Sequence, residues 1–204
     1  MKAADGTRSI RYVWFDQDDT LYSYHDAMHR SLHASLEIIH ERFPQTRETL
    51  GVDELIAVRS EISERADRAG MDFVQARQEA FRETLGRYAR LESGLDEALT
   101  DVYYNSLHTG LEPFPETVDC LQALSETSVL GISLISELGI AEFFQYRIYA
   151  LELGLYKPDP EIFSHALSLA GAEPEECLLV GDNRICDVVG AREAGWTAVW
   201  LNRG

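Results

Sequence analysis

The chain has 204 residues, 45% of them apolar and 26% charged, the proportions of a globular protein with room for one domain plus an insertion or for two small domains. Its 35 Asp and Glu against 18 Lys and Arg give a formal net charge of −17, which argues against nucleic acid and anionic membrane as partners, since both need a basic footprint. No stretch approaches the roughly 18 apolar residues of a membrane span, and residues 1–9 lack a signal-peptide core, so a cytoplasmic protein is expected. Cys120, Cys177 and Cys186 show no Cys-x-x-Cys pairing and read as reduced, buried thiols.

The first element is an apolar run, Tyr12 to Phe15, read as a buried strand. It stops at three carboxylates in four residues, Asp16, Asp18 and Asp19. Carboxylates this close raise one another's pKa unless a cation compensates them. An acidic turn after a strand is the plain alternative. Residues 22–110 then carry helical rather than strand periodicity. Met28, Leu32, Leu36, Ile39 and Phe43 share one helical face that Pro44 ends. Leu55, Ile62, Ala66 and Ala69 predict a second helix stopped at Gly70, Phe73 to Tyr88 a third, and Leu95 to Leu107 a fourth ended at Gly110. Four amphipathic helices in a row can bury one another's apolar stripes as a small bundle.

From Pro113 the pattern becomes alternating helix and strand. Glu116–Leu124 is helical, while Val129–Ser133 and Tyr146–Leu151 read as strands. Asp159-Pro160 starts a helix that runs to Gly171, with Asp as N-cap and Pro at the first helical position. Cys177–Val180 is an apolar strand ending at Gly181-Asp182, a helix lies near Val188–Ala194, and Thr197–Leu201 is the last strand. Alternation of this kind implies a parallel sheet with helices on both faces. The expected fold class is α/β: a Rossmann-like parallel-sheet core, residues 1–21 and 111–204, with an inserted α-helical bundle, residues 22–110. Ligands of such sheets bind beyond the carboxyl ends of the strands, which is where Asp16, Asp18, Ser133, Lys157 and Asp182 fall.

Phe-Asp-Gln-Asp-Asp-Thr-Leu (15–21), Tyr-Lys-Pro-Asp-Pro (156–160) and Gly-Asp-Asn-Arg-Ile-Cys-Asp (181–187) resemble, in order and context, the signature blocks of the haloacid dehalogenase superfamily. The helical insertion resembles that family's cap, placed between its first and second motifs. The resemblance implies a Mg²⁺-dependent phosphatase acting on a small phosphorylated metabolite. Asp16 is then the nucleophile that takes the phosphoryl group, and Asp18 the general acid and base. Thr20 orients the loop, Ser133 binds a phosphate oxygen, and Lys157 neutralises developing charge. The implied metal set is Asp16, Asp18 through its carbonyl, and Asp182, with Asp187 acting behind them. Each has a structural alternative: Lys157 as a surface lysine, Thr20 and Asp182 as turn residues, Asp187 as a helix N-cap. Asp19 stands where the family more often has Gly and reads as solvated loop chemistry. The acid at position 18 favours phosphoryl transfer over the dehalogenases' attack at carbon, which does not need it.

His25, His29 and His33 are spaced four apart on the first predicted helix, and His40 continues the row. A metal site there lacks an acidic partner at motif spacing. Tyr22, Tyr24, His25 and His29 are instead candidates for contact with substrate, given their nearness to Asp18. The second motif departs from the family's pattern: Ser133 runs at once into Leu134-Ile135-Ser136, leaving 12 residues, 134–145, before the next strand. Either the loop is short by nature, or part of it has been deleted or left out, and Ser136 is the substitute for Ser133. The rival functions are a sugar phosphomutase of similar build and a non-catalytic binding or regulatory protein that keeps the fold. Oligomeric state is not readable from the sequence.

Overall fold

The computed structural model describes residues 9–69, 71–109, 111–127, 129–133 and 139–203. Residues 134–138 lie outside the described residues, and with them Ser136 and the Ser133–Leu134 step on which the short-loop question turns. The side chain of Ser133 lies outside them as well. The fold is α/β, a Rossmann-like parallel sheet with an inserted α-helical bundle. It divides into two compact units, residues 1–24 with 112–204, and residues 25–111.

In the first unit, β1 (Tyr12–Phe15) is buried along its whole length. Its apolar run without alternation suits a strand covered on both faces. It lies centrally in a five-stranded, all-parallel sheet of order β3-β2-β1-β4-β5. The partners are β2 (Val129–Ser133), β3 (Tyr146–Ile148), β4 (Cys177–Gly181) and β5 (Thr197–Trp200). Tyr12 and Trp14 of β1 join Cys177 and Leu179 of β4, with Ile162, Phe163, Ala166 and Trp196, in the main core cluster. From the opposite face Phe15 meets the ring of Phe144 edge-on, centroids 6.1 Å apart.

Two sequence expectations change in this unit. The third strand stops at Ile148 rather than Leu151, because residues 150–153 turn into a short helix closed by Gly154 in the left-handed region, φ 65°. Cys120 is exposed rather than buried, since its helix (Thr117–Ser125) turns Thr117 and Leu121 inward; Cys177 is buried and Cys186 half-buried.

In the second unit, α1 (Tyr24–Arg42) buries Met28, Leu32, Leu36 and Ile39, residues at helical spacing, and Pro44 opens a separate short 3-10 turn. α2 (Val52–Ala69) and α3 (Phe73–Tyr88) pack through Val58, Ile62 and Ala80. Asp72 caps α3 by accepting from the Gln75 amide at 2.8 Å. α4 (Leu95–Thr109) completes the bundle, with Leu99, Tyr103 and Leu107 inward. No helix among the described residues is long and apolar enough to cross a membrane.

Candidate active site

The sheet register brings the site together at the carboxyl ends of its central strands. Phe15 is paired with Ile132 on one side and Val180 on the other, so the next residue of each strand, Asp16, Ser133 and Gly181, ends it at the same edge. The Asp16 amide extends the ladder by donating to the Val180 carbonyl at 2.9 Å. After Asp16 the chain folds into a tight turn, in which the Thr20 and Leu21 amides donate to the Gln17 carbonyl. Asp19 takes the left-handed φ of 55° that the turn demands, which explains why glycine suits this position. Thr20, buried in the turn, donates its hydroxyl to Asp16 Oδ2 at 3.3 Å.

Lys157 reaches this edge from the segment before the Asp159-capped helix (Pro160–Ala170), and its peptide bond to Pro158 is cis. Its ammonium donates to Asp16 Oδ1 at 2.6 Å and to Asp187 Oδ1 at 2.5 Å. Asp187, whose side chain is 2% exposed, accepts from the Asn183 amide through its other oxygen at 2.9 Å. The helical stretch after β4 is therefore capped by Asn183, whose side chain accepts from the amides of Ile185 and Cys186, and not by Asp187. Asp187 is left free of capping to hold Lys157. Gly181 makes this possible, because a Cβ there would stand on the Asp187 carboxylate.

These groups line a cavity of about 330 Å³ in the first unit, with Asp18, Asp19, Asp182, Tyr156 and Cys186 around it. Lys157 is the one cation among the described residues of its wall. Burial, with Asp16 and Asp19 adding repulsion and Tyr22 opposing by a hydrogen bond, pushes Asp18 up to about 6. Burial and the charges of Asp16 and Asp187 push Asp182 up to about 6 as well. Burial raises Asp187 despite its contact with Lys157. For Lys157 burial disfavours the charged form, but Asp16 and Asp187 outweigh it and raise its pKa. Burial and Asp187 likewise hold the Cys186 thiol protonated.

Oxygens of Asp16, Asp182 and Asp187 converge within 4.8 Å of one another. An oxygen-only donor set with more negative charge than one lysine offsets fits a hard divalent cation. The Asp18 carboxyl is not in this trio. Its Oδ1 accepts from the Tyr22 phenol. The histidine row belongs to the second unit, where the His25 and His29 rings pack 4.4 Å apart and His40 Nε2 lies 3.0 Å from the Leu50 carbonyl. No group of three ligand side chains forms there among the described residues.

Tyr22, a candidate for substrate contact in the sequence, is buried with its phenol on Asp18, and three further supports escaped the sequence reading: Asn183, Trp200 and Arg203. The Trp200 indole donates to the Asp182 carbonyl at 2.8 Å. Arg203 donates to the Thr20 carbonyl at 2.9 Å, pairs with Glu116 at 2.6 Å, and covers the Phe114 ring. Asn183 alone had a local signal, an amide residue two and three positions before the amides it caps.

Residues 10–195 match the family described as haloacid dehalogenase-like hydrolase. A glyceraldehyde 3-phosphate phosphatase of Methanopyrus kandleri is 30% identical over 207 aligned residues, which span 96% of this chain and 85% of that one. A phosphoserine phosphatase of Thermus thermophilus is 48% identical over a shorter stretch of 66 residues, 32% of this chain and 26% of its own. Among solved structures, a 2-haloacid dehalogenase from Pseudomonas syringae superposes with a TM-score of 0.75 at 28% identity, covering 95% of this chain and 86% of its own. The magnesium-bound HAD hydrolase YfnB of Bacillus subtilis superposes equally well, TM-score 0.75 at 20% identity, over 96% and 90%.

Proposed function

The chain belongs to the haloacid dehalogenase-like hydrolase family, and from that premise we propose that it hydrolyses a small phosphomonoester with Mg²⁺ through an aspartyl-phosphate. The observation that carries this reading is Asp18. It is a half-buried carboxyl two residues beyond Asp16, bonded to the Tyr22 phenol and pushed up to about 6, so that it can hold a proton in mildly acidic solution. The phosphatases among its relatives support the same class.

In this reading Asp16 attacks phosphorus, its two oxygens steadied by Lys157 and Thr20. Asp18 gives its proton to the departing alkoxide, then takes one from the water that cleaves the aspartyl-phosphate. Lys157, fixed from behind by Asp187, offsets charge that develops on the phosphoryl oxygens. Ser133, at the end of β2, would bind one of those oxygens. Asp16, Asp182 and the Asp18 carbonyl would hold Mg²⁺, with Asp187 behind them. When bound, the ion supplies positive charge to the phosphoryl group.

The test is a panel of phosphomonoesters with Mg²⁺, beginning with glyceraldehyde 3-phosphate and phosphoserine, run on the wild type and on Asp16→Asn. Phosphate release from at least one ester, lost in the variant, is the expected result. Isomerised sugar phosphate without stoichiometric phosphate would make it a mutase, and Mg²⁺ binding without turnover a binding protein. The dehalogenase neighbour gives a second reading, hydrolysis at carbon. Halide release from a 2-haloacid with no phosphate release from the panel would establish that one instead.

A further inference from the structure

A general acid that must later act as a base has to keep one oxygen available through both transfers, and Asp18 has two. The turn that follows it decides between them. Asp19 in the left-handed region brings the chain back on itself, so that Tyr22 forms an isolated bridge with Asp18, and its phenol donates to Asp18 Oδ1. Tyr22 is 1% exposed and has little room to leave. Its other side is bridged to Pro113, and the neighbouring Leu21 carbonyl accepts from the Phe114 amide and the Thr117 hydroxyl, each at 2.9 Å. A phenol buried this deeply needs a partner for its hydroxyl, and a carboxyl oxygen is a strong one.

We propose that Tyr22 is a positioning residue for proton transfer: it occupies Asp18 Oδ1 and thereby assigns the proton relay to Oδ2. The proposal rests on the phosphatase reading above. In the first half-reaction Asp16 forms its bond to phosphorus as the bond to the leaving oxygen breaks, and the proton on Oδ2 passes to that oxygen. In the second, water's oxygen bonds phosphorus, the Asp16–phosphorus bond breaks with its electron pair returning to Asp16, and water's proton passes to Oδ2. Without the phenol the carboxyl can turn about its Cβ–Cγ bond, and neither oxygen is reserved for the relay.

Tyr22→Phe keeps the ring and its packing and deletes one oxygen. Leaving groups separate its role from a merely structural one, because a nitrophenolate departs with little protonation while an alkoxide needs the acid. Against wild type, the variant should lose at least about tenfold more kcat on an alkyl phosphate than on p-nitrophenyl phosphate, within the range that general acid catalysis supplies. The same substitution in an Asp18→Asn background should cost nothing further on p-nitrophenyl phosphate, since the group it positions is gone. Equal losses on the two esters, no loss on either, or an undiminished cost in the Asp18→Asn background would each overturn the proposal. A wild-type protein that releases phosphate from neither ester would fail the phosphatase reading itself, which this pair of substrates reports separately.

Discussion

The helical unit and the candidate site of the sheet unit treat their acids in opposite ways. In the helical unit each acid of the main ion pairs meets an arginine. Asp96 accepts from Arg82 at 2.6 Å and from Gln78 at 3.1 Å, Glu92 from Arg42 and Arg90, and Glu61 from Arg87. Hydrogen bonds to arginine hold Glu61 and Glu92 below the usual carboxylate range. Burial would raise Asp96, but Gln78 and Arg82 outweigh it and keep it low. In the sheet unit Asp16, Asp18, Asp182 and Asp187 share one lysine, and burial pushes Asp18, Asp182 and Asp187 up. A lowered carboxylate has found its partner within the chain, and most such surface pairs contribute little. A raised one is held without enough positive charge, and that is the mark of a site built for something the chain does not itself contain.

The contrast predicts its largest effect at the lysine. Lys157→Met keeps most of the volume but leaves Asp16 and Asp187 facing each other unopposed. Phosphate release should fall about 10²–10³-fold, as when one charge-stabilising donor is removed. Breaking a buried pair should also cost about 3 kcal/mol in a thermal or denaturant melt, part of it recovered by added Mg²⁺. An unchanged melting temperature would show that the sheet-unit acids are not under the strain inferred for them. Gly181→Ala comes next. Its Cβ would push the Asp187 carboxylate off both Lys157 and the Asn183 amide. Overpacking of this kind costs about 1–3 kcal/mol, and displacement of the lysine by an ångström should lower kcat about 10²-fold. Full activity in that variant would mean Asp187 does not position Lys157.

How much of this could be read beforehand follows from what each feature depends on. Asp16, Lys157 and Asp182 stand where apolar runs break or helices start, so linear patterning and motif order located them together. The helix limits at Pro44, Asp159 and Gly171 were legible for the same reason: caps and breakers are local. Tyr22 against Asp18 was not. The two are four residues apart, but in a turn rather than a helix, and no periodicity marks the contact. Arg203 on the Thr20 carbonyl spans 183 positions and exists only once β5 lies at the edge of the sheet. The sequence offers Asp187 as an N-cap only as the structural alternative to its place behind the metal set, and Asn183 fills the cap instead, since an N-cap is set by which side chain meets the first free amides. The third strand is three residues shorter than its apolar run predicts, because a run of that size fits a strand or a helical turn equally well.

A smaller effect separates the two units by pH. Asp18 and Asp182 move from an ordinary 3.8 to about 6 on folding. The folded state therefore binds more protons than the unfolded one between those values, and the metal-free protein gains stability from both groups as pH falls through 6. At pH 7.5 the two acids are ionised at a cost that a cation can relieve. At pH 5 a cation must first displace the proton of Asp182, the one of the two whose carboxyl lies in the acidic trio. Saturating Mg²⁺ should raise the melting temperature by about 5 °C at pH 7.5 and by clearly less at pH 5. An equal or larger gain at pH 5 would detach Asp182 from the metal set.

The helical unit should show the reverse sign and the smallest effect. Asp96 is held below its ordinary 3.8, so its pairing with Arg82 and Gln78 contributes stability above that value and loses it as pH falls through the lower, folded-state pKa. Arg82 is half exposed, and solvent screens most of the pair's energy. Asp96→Asn should lower the melting temperature by about 1–3 °C at pH 7, with the gap to wild type closing toward pH 3. Mg²⁺ should raise the melting temperature of the variant as much as that of wild type, and kcat should stay within about twofold, as for a surface substitution away from the site. A larger loss of turnover, or a weakened response to Mg²⁺, would mean that the balanced acids of one unit and the unbalanced acids of the other act on a single equilibrium.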